Sequence, residues 1–97
     1  MIEASVRQGA QGYSLEVIGH AAYASDNDIV CAAVSSLVEA LAAYLEEYDD
    51  CGADADLGDG YALITMAERN AALDMAVCGF CAIADAYPDY VIMTTDI

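Results

Sequence analysis

Apolar and polar positions alternate along the start of the chain, with Ile2, Ala4 and Val6 set against Glu3, Ser5 and Arg7. A period of two is that of a half-buried strand. Residues 9–12 supply turn formers, and alternation resumes through Tyr13, Leu15 and Val17. Residues 1–8 and 13–18 are therefore expected to pair as a hairpin. From Asp28 the period changes. Val30, Val34, Leu37, Val38, Leu41 and Leu45 recur at helical spacing. This predicts a helix that opens on an Asp28 N-cap, buries that stripe and runs to about Tyr48. Residues 53–57 and 61–67 flank Gly58-Asp59-Gly60, a strong hairpin-turn signal. Leu73, Val77, Phe80 and Ile83 then mark a second helix over about 69–87, which Pro88 ends. Residues 90–95 are rich in β-formers and read as a last strand.

The element order is ββαββαβ, without linkers or repeats, and 97 residues are expected to make one domain, residues 1–97. The fold class that follows is α/β of the α+β type. It is a two-layer sandwich in which two helices pack on one mixed or mostly antiparallel sheet. Strand order does not follow from the pattern.

Composition narrows the function. Seventeen acids face two arginines and no lysine, a formal charge of −15. Such a field repels nucleic acid and anionic lipid and attracts basic partners, although an acidic surface also serves solubility alone. The chain opens with a strand pattern instead of a charged and then apolar leader, so four free thiols in a reducing, cytoplasmic setting are expected. The apolar run 29–45 is interrupted by Ser35, Ser36 and Glu39, and reads as too short and too polar to span a bilayer. No glycine-rich loop precedes a helix, so nothing supports a nucleotide, and no cofactor is expected.

The candidate chemistry lies between Gly19 and Ser36. The only histidine, His20, stands at the end of the second strand, eleven residues before Cys31 in the first turn of the first helix. Unpaired N–H groups and the helix dipole at that place favour a thiolate and could receive an oxyanion. With His20 in reach, the pair is the minimal machinery of nucleophilic acyl transfer. A buried structural cysteine beside a strand-end histidine is the plainer alternative. Asp28 opposes the thiolate by like charge unless its oxygens cap the helix or orient His20, and both roles stay open. Ser35 lies one turn beyond Cys31 on the same face. Cys78-Gly79-Phe80-Cys81 falls in mid-helix, which reads first as core packing; a zinc module or redox pair built on it is the weaker rival, and no metal is assigned. Tyr44, Tyr48, Tyr87 and Tyr90 read as core edge or dimer contact. Glu46, Glu47, Asp49 and Asp50 crowd the negative pole of the first helix, where acids are unfavourable. Either they simply reach into water or they form a landing patch for a cation.

The run G-H-A at a strand end followed by D-I-V-C-A-A-V-S opening a helix resembles the signature of the Prp family, the ribosomal-processing cysteine proteases of bacteria. The resemblance implies a cysteine endopeptidase with a Cys/His dyad, His20 as base and Cys31 as nucleophile. It also implies supporting roles for Gly19, Asp28 and Ser35. The implied substrate is the precursor of a large-subunit ribosomal protein, number twenty-seven, whose N-terminal extension is removed during ribosome assembly. Such enzymes are usually cytoplasmic homodimers, and their strongly basic substrate suits the −15 charge, with no direct nucleic acid or membrane contact implied. Two features depart from the family pattern. The family often has a glycine after G-H-A and another within the loop, where this chain has Ala22 and Ser25-Asp26-Asn27. A non-catalytic, acidic assembly factor that holds a basic ribosomal protein by charge is the rival reading.

Overall fold

The computed structural model describes residues 1–48 and 52–97. The seven elements follow the predicted order: β1 (Ile2–Gly9), β2 (Gly12–Gly19), α1 (Ile29–Tyr48), β3 (Asp54–Gly58), β4 (Tyr61–Met66), α2 (Ala71–Ala86) and β5 (Val91–Asp96). The second helix starts later than its periodicity suggests. Asn70 caps it, its Oδ1 accepting the Leu73 N–H at 2.9 Å, which satisfies one of the unpaired donors of the first turn.

The strands form one sheet in the order β3-β4-β2-β1-β5. Every neighbouring pair is antiparallel except β1 and β5, which run parallel. Both helices cover one face, and this is the two-layer α/β sandwich the pattern implied. Alternate residues of the central strands (Ile2, Ala4, Val6, Leu15, Val17) point under the helices and are buried. From α1 they meet Val30, Val34, Val38, Leu41 and Leu45, and from α2 Leu73, Ala76 and Phe80. Leu37 is half-buried instead of fully buried, because it turns toward α2 and fills the space that Gly79 leaves open.

Two expectations are corrected here. The first helix, at 20 residues, is long and apolar enough to cross a bilayer by length and composition. Counted over the whole helix to Tyr48, the alanines, valines and leucines outweigh the interruptions at Ser35, Ser36 and Glu39. Its most apolar stripe is packed on the sheet. The second correction concerns the C-x-x-C. It is in mid-helix, but Cys78 is exposed and Cys81 only half-buried, since α2 turns its Leu73, Ala76 and Phe80 face to the core and carries Cys78 away from it.

β3 differs from the other strands. It is the sheet edge, and all five of its residues are exposed. Ala55 and Leu57 lie opposite the buried Ile64 and Ala62, so they belong to the helix-side face, yet neither helix covers them.

Candidate active site

β2 carries the chain to His20 through Gly19, whose φ of +101° is a conformation that residues with a Cβ avoid. A Cβ there would also collide with the carbonyl oxygen of Met1. The Gly19 N–H donates to the Gly60 carbonyl at 2.9 Å, which ties the β3–β4 turn to the strand exit. The imidazole of His20 then lies directly over Gly60. A Cβ on Gly60 would sit 2.7 Å from Nε2. Asp59, in the same turn, faces that nitrogen with Oδ1 at 3.8 Å. The hairpin turn thus provides both the floor and the carboxylate neighbour of the histidine, a part that its Gly-Asp-Gly sequence does not reveal.

From His20 the loop to α1 passes through Ala22 at φ +55° and Asn27 at φ +50°. Left-handed backbone is common for asparagine and unfavourable for alanine. The Tyr23 ring anchors this loop, packing edge-on against Tyr87 at 5.6 Å and Tyr90 at 5.1 Å between centroids. Two of the tyrosines expected at a core edge or a dimer contact therefore hold the loop between His20 and Cys31. Tyr44 and Tyr48 touch each other at a tilted angle of 39° at the exposed end of α1.

Cys31 is the third residue of α1 and half-buried. The Ala21 amide N–H donates to its Sγ at 3.3 Å. Asp28 takes the capping role. Its Oδ1 accepts the N–H groups of Val30 at 3.1 Å and Cys31 at 3.0 Å, and its Oδ2 accepts that of Tyr23 at 3.0 Å. The Cys31 amide, with further help from the Tyr23, Ala24 and Val30 amides, holds the Asp28 carboxyl below the usual carboxylate range despite some opposing desolvation. The idea that the helix start serves as the oxyanion site is thereby corrected. The Val30 and Cys31 N–H groups are bound by the cap, and the Ala32 N–H is bound by the Asp28 carbonyl at 3.0 Å. The amide directed at the sulfur comes from the loop, at Ala21.

His20, Cys31, Ser35 and Gly19 line one cleft of about 310 Å³, floored by Ile2, Val17, Val34, Val38 and Ala62 and edged by Glu39 and Asp59. Asp28 stands behind the cysteine as its cap. Of the acidic cluster, Glu46 and Glu47 are exposed in the last turn of α1, whereas Asp49, Asp50 and Cys51 lie outside the described residues. Among the described residues, no group of three or more His, Cys, Asp or Glu side chains is placed to hold a metal ion.

The protein-family model for the cysteine protease Prp matches residues 1–92. The chain belongs to the Prp family of cysteine proteases. Comparison with curated protein sequences gives no match. Among solved structures, the fold is similar to an essential ribosomal-processing protease Prp from S. aureus. In complex with a covalently linked product peptide, that protein superposes with a TM-score of 0.84 at 19% identity, covering 99% of this chain and 100% of the other. With a substrate peptide bound it gives 0.77 at 16% identity over 99% and 100%. SMU.848 from Streptococcus mutans gives 0.76 at 29% identity, over 99% of this chain and 94% of that one. As a Prp-family member the protein is a cysteine-type peptidase, and the left-handed backbone at Ala22 gives a physical reason for the glycine that the family often has there.

Proposed function

We propose that this protein is a thiol endopeptidase that trims the N-terminal extension from the precursor of a large-subunit ribosomal protein, number twenty-seven, with Cys31 as nucleophile and His20 as base. The observation that carries the reading is the shared cleft: a cysteine sulfur at a helix start, engaged by a loop amide at 3.3 Å, lines the same cleft as the chain's only histidine. Asp59 faces Nε2 of that histidine, which leaves Nδ1 as the nitrogen to exchange a proton with the thiol. His20 takes the proton from Cys31, and the sulfur attacks the scissile carbonyl carbon. The tetrahedral oxygen finds a donor in Ala21 N–H, which already approaches the sulfur. The intermediate collapses to a thioester as the imidazolium gives its proton to the departing amine. Water, deprotonated by His20, then hydrolyses the thioester and frees the thiol.

Geometry supports roles for three further residues. Gly19 allows the turn that presents His20, Asp28 fixes the first turn around Cys31, and Ser35 edges the cleft one helical turn beyond it. A ribosomal protein is basic, and the −15 charge, with Glu46, Glu47, Asp49 and Asp50 near the end of α1, steers it in. The protein acts as a cytoplasmic homodimer without direct nucleic-acid or membrane contact. The test is processing of the purified precursor, followed by intact-mass spectrometry. Wild-type protein should shorten the precursor, and Cys31→Ala should leave it whole. Processing by Cys31→Ala would overturn the mechanism. Thiol alkylation separates the protease from an acidic assembly factor, which would still bind the precursor and never cut it.

A further inference from the structure

The cleft that holds His20 and Cys31 does not end at the catalytic pair. A second cavity, of about 530 Å³, opens between α1 and β3, and Leu57 lines both. The two are walled on one side by a single stripe of α1: Cys31, Ser35, Val38, Glu39, Ala42 and Glu46. Those positions step by four, three, one, three and four residues, which keeps them on one helical face. The opposite wall is the uncovered inner face of β3, where Ala55 and Leu57 are exposed on the side of the sheet that elsewhere is buried. From Cys31 to Glu46 the stripe is roughly 22 Å long at 1.5 Å per residue. An extended peptide of about six or seven residues spans that length.

We infer that this α1–β3 groove is an extended subsite that holds the substrate chain for about six residues to one side of the scissile bond, taking apolar side chains on its floor and lysine or arginine at its rim. The inference rests on the protease reading above. Continuity with the catalytic cleft through Leu57 names the occupant, because a chain whose scissile bond lies at Cys31 must leave the cleft along a wall. Charge names its chemistry. Glu39, Glu46, Asp54 and Asp59 edge the two cavities, and neither Arg7 nor Arg69 lines them. The floor, with Leu45 and Ile64, is apolar.

The test uses synthetic peptides from the ribosomal protein precursor: a short one with three residues on each side of the cleaved bond, and two others lengthened by six residues toward one end or the other. One lengthened peptide should exceed the short one in kcat/KM by about tenfold. Ala55→Trp, which fills the groove at an exposed strand position, should bring that ratio close to one. Glu46→Gln should weaken the salt dependence of the same ratio without needing a bulky residue to be accommodated. Equal rates for all three peptides, or a ratio unchanged in both variants, would overturn the groove while leaving the protease intact. If no peptide is cut at all, the protease reading fails separately. Fluorescence anisotropy of the labelled long peptides on wild-type and Ala55→Trp protein then decides the groove, and equal affinity removes it. A change of oligomeric state in Ala55→Trp with an unaltered peptide ratio would assign the groove to a second copy of the chain and overturn the proposal.

Discussion

Replacing Gly60 by alanine tests whether the observed imidazole position is the working one. The residue has φ +68°, and placing a Cβ in left-handed backbone costs roughly 1–2 kcal/mol. For a domain of this size each kcal/mol lowers Tm by about 4–8 °C. The second effect is specific to the site. The new Cβ would lie 2.7 Å from Nε2 of His20, where ordinary contact begins near 3.4 Å, so the ring or the turn must give way by about 0.7 Å (3.4 minus 2.7). The turn is tied to β2 by the Gly19–Gly60 hydrogen bond, whereas the imidazole is largely exposed, so the ring moves. Displacements approaching 1 Å at a reacting group cost on the order of a hundredfold in rate. We therefore expect kcat/KM to fall by roughly ten- to a hundredfold. Gly52→Ala is the control, because it has the same φ of +68° with nothing within 4 Å of the new Cβ. It pays the backbone cost alone. Peptide cleavage and thermal melts on both variants measure the two effects separately. If Gly60→Ala and Gly52→Ala cleave equally well at a temperature where both are folded, the imidazole proposed as the base does not work from its position over Gly60, and the assignment of its Nε2 side to Asp59 is wrong.

Other expectations follow from the same geometry. Asp28→Ala should lower Tm at neutral pH, because three backbone N–H groups lose their acceptor. Since the folded-state pKa of Asp28 is lowered, its contribution is present above the unfolded value near 3.8 and is lost as pH falls through the folded one. The Tm gap between wild type and Asp28→Ala should thus narrow as pH drops below the ordinary carboxylate range, and a gap that widens as the solution is acidified contradicts the capping role. Asp59→Asn should reduce kcat/KM a few-fold at low salt and hardly at all at high salt, because the carboxylate is almost fully exposed; identical activity at low salt removes Asp59 from the site. Ala22→Gly relieves left-handed strain of roughly 1–2 kcal/mol against about 0.4–1 kcal/mol of added chain entropy, so its Tm should not fall below that of wild type. A lower melting point would show that the loop backbone is not left-handed there in solution. The double variant Glu46→Gln with Glu47→Gln should slow association with the basic precursor and flatten its salt dependence in stopped-flow measurements.

The chain's periodicities settled much of this protein by themselves. A period of two can only bury one face of a strand, and the stripe from Val30 to Leu45 can only bury one face of a helix. The layers and the order of the seven elements therefore follow from local physics. The positions of His20 at a strand exit and Cys31 in a first helical turn were legible for the same reason, since both depend on where an element ends. Which strands pair is not a local property. It was decided when β4 took its place beside β2 with Ile18 opposite Tyr61, a choice made by packing the whole sheet under two helices. That pairing brought Asp59 and Gly60 to the imidazole. The sheet's width, with β3 at an edge beyond the helices' cover, left the groove along α1. The carboxylate of Asp28 had two physically reasonable partners in the sequence, and only the folded loop, which presents three amides to it at once, chose between them.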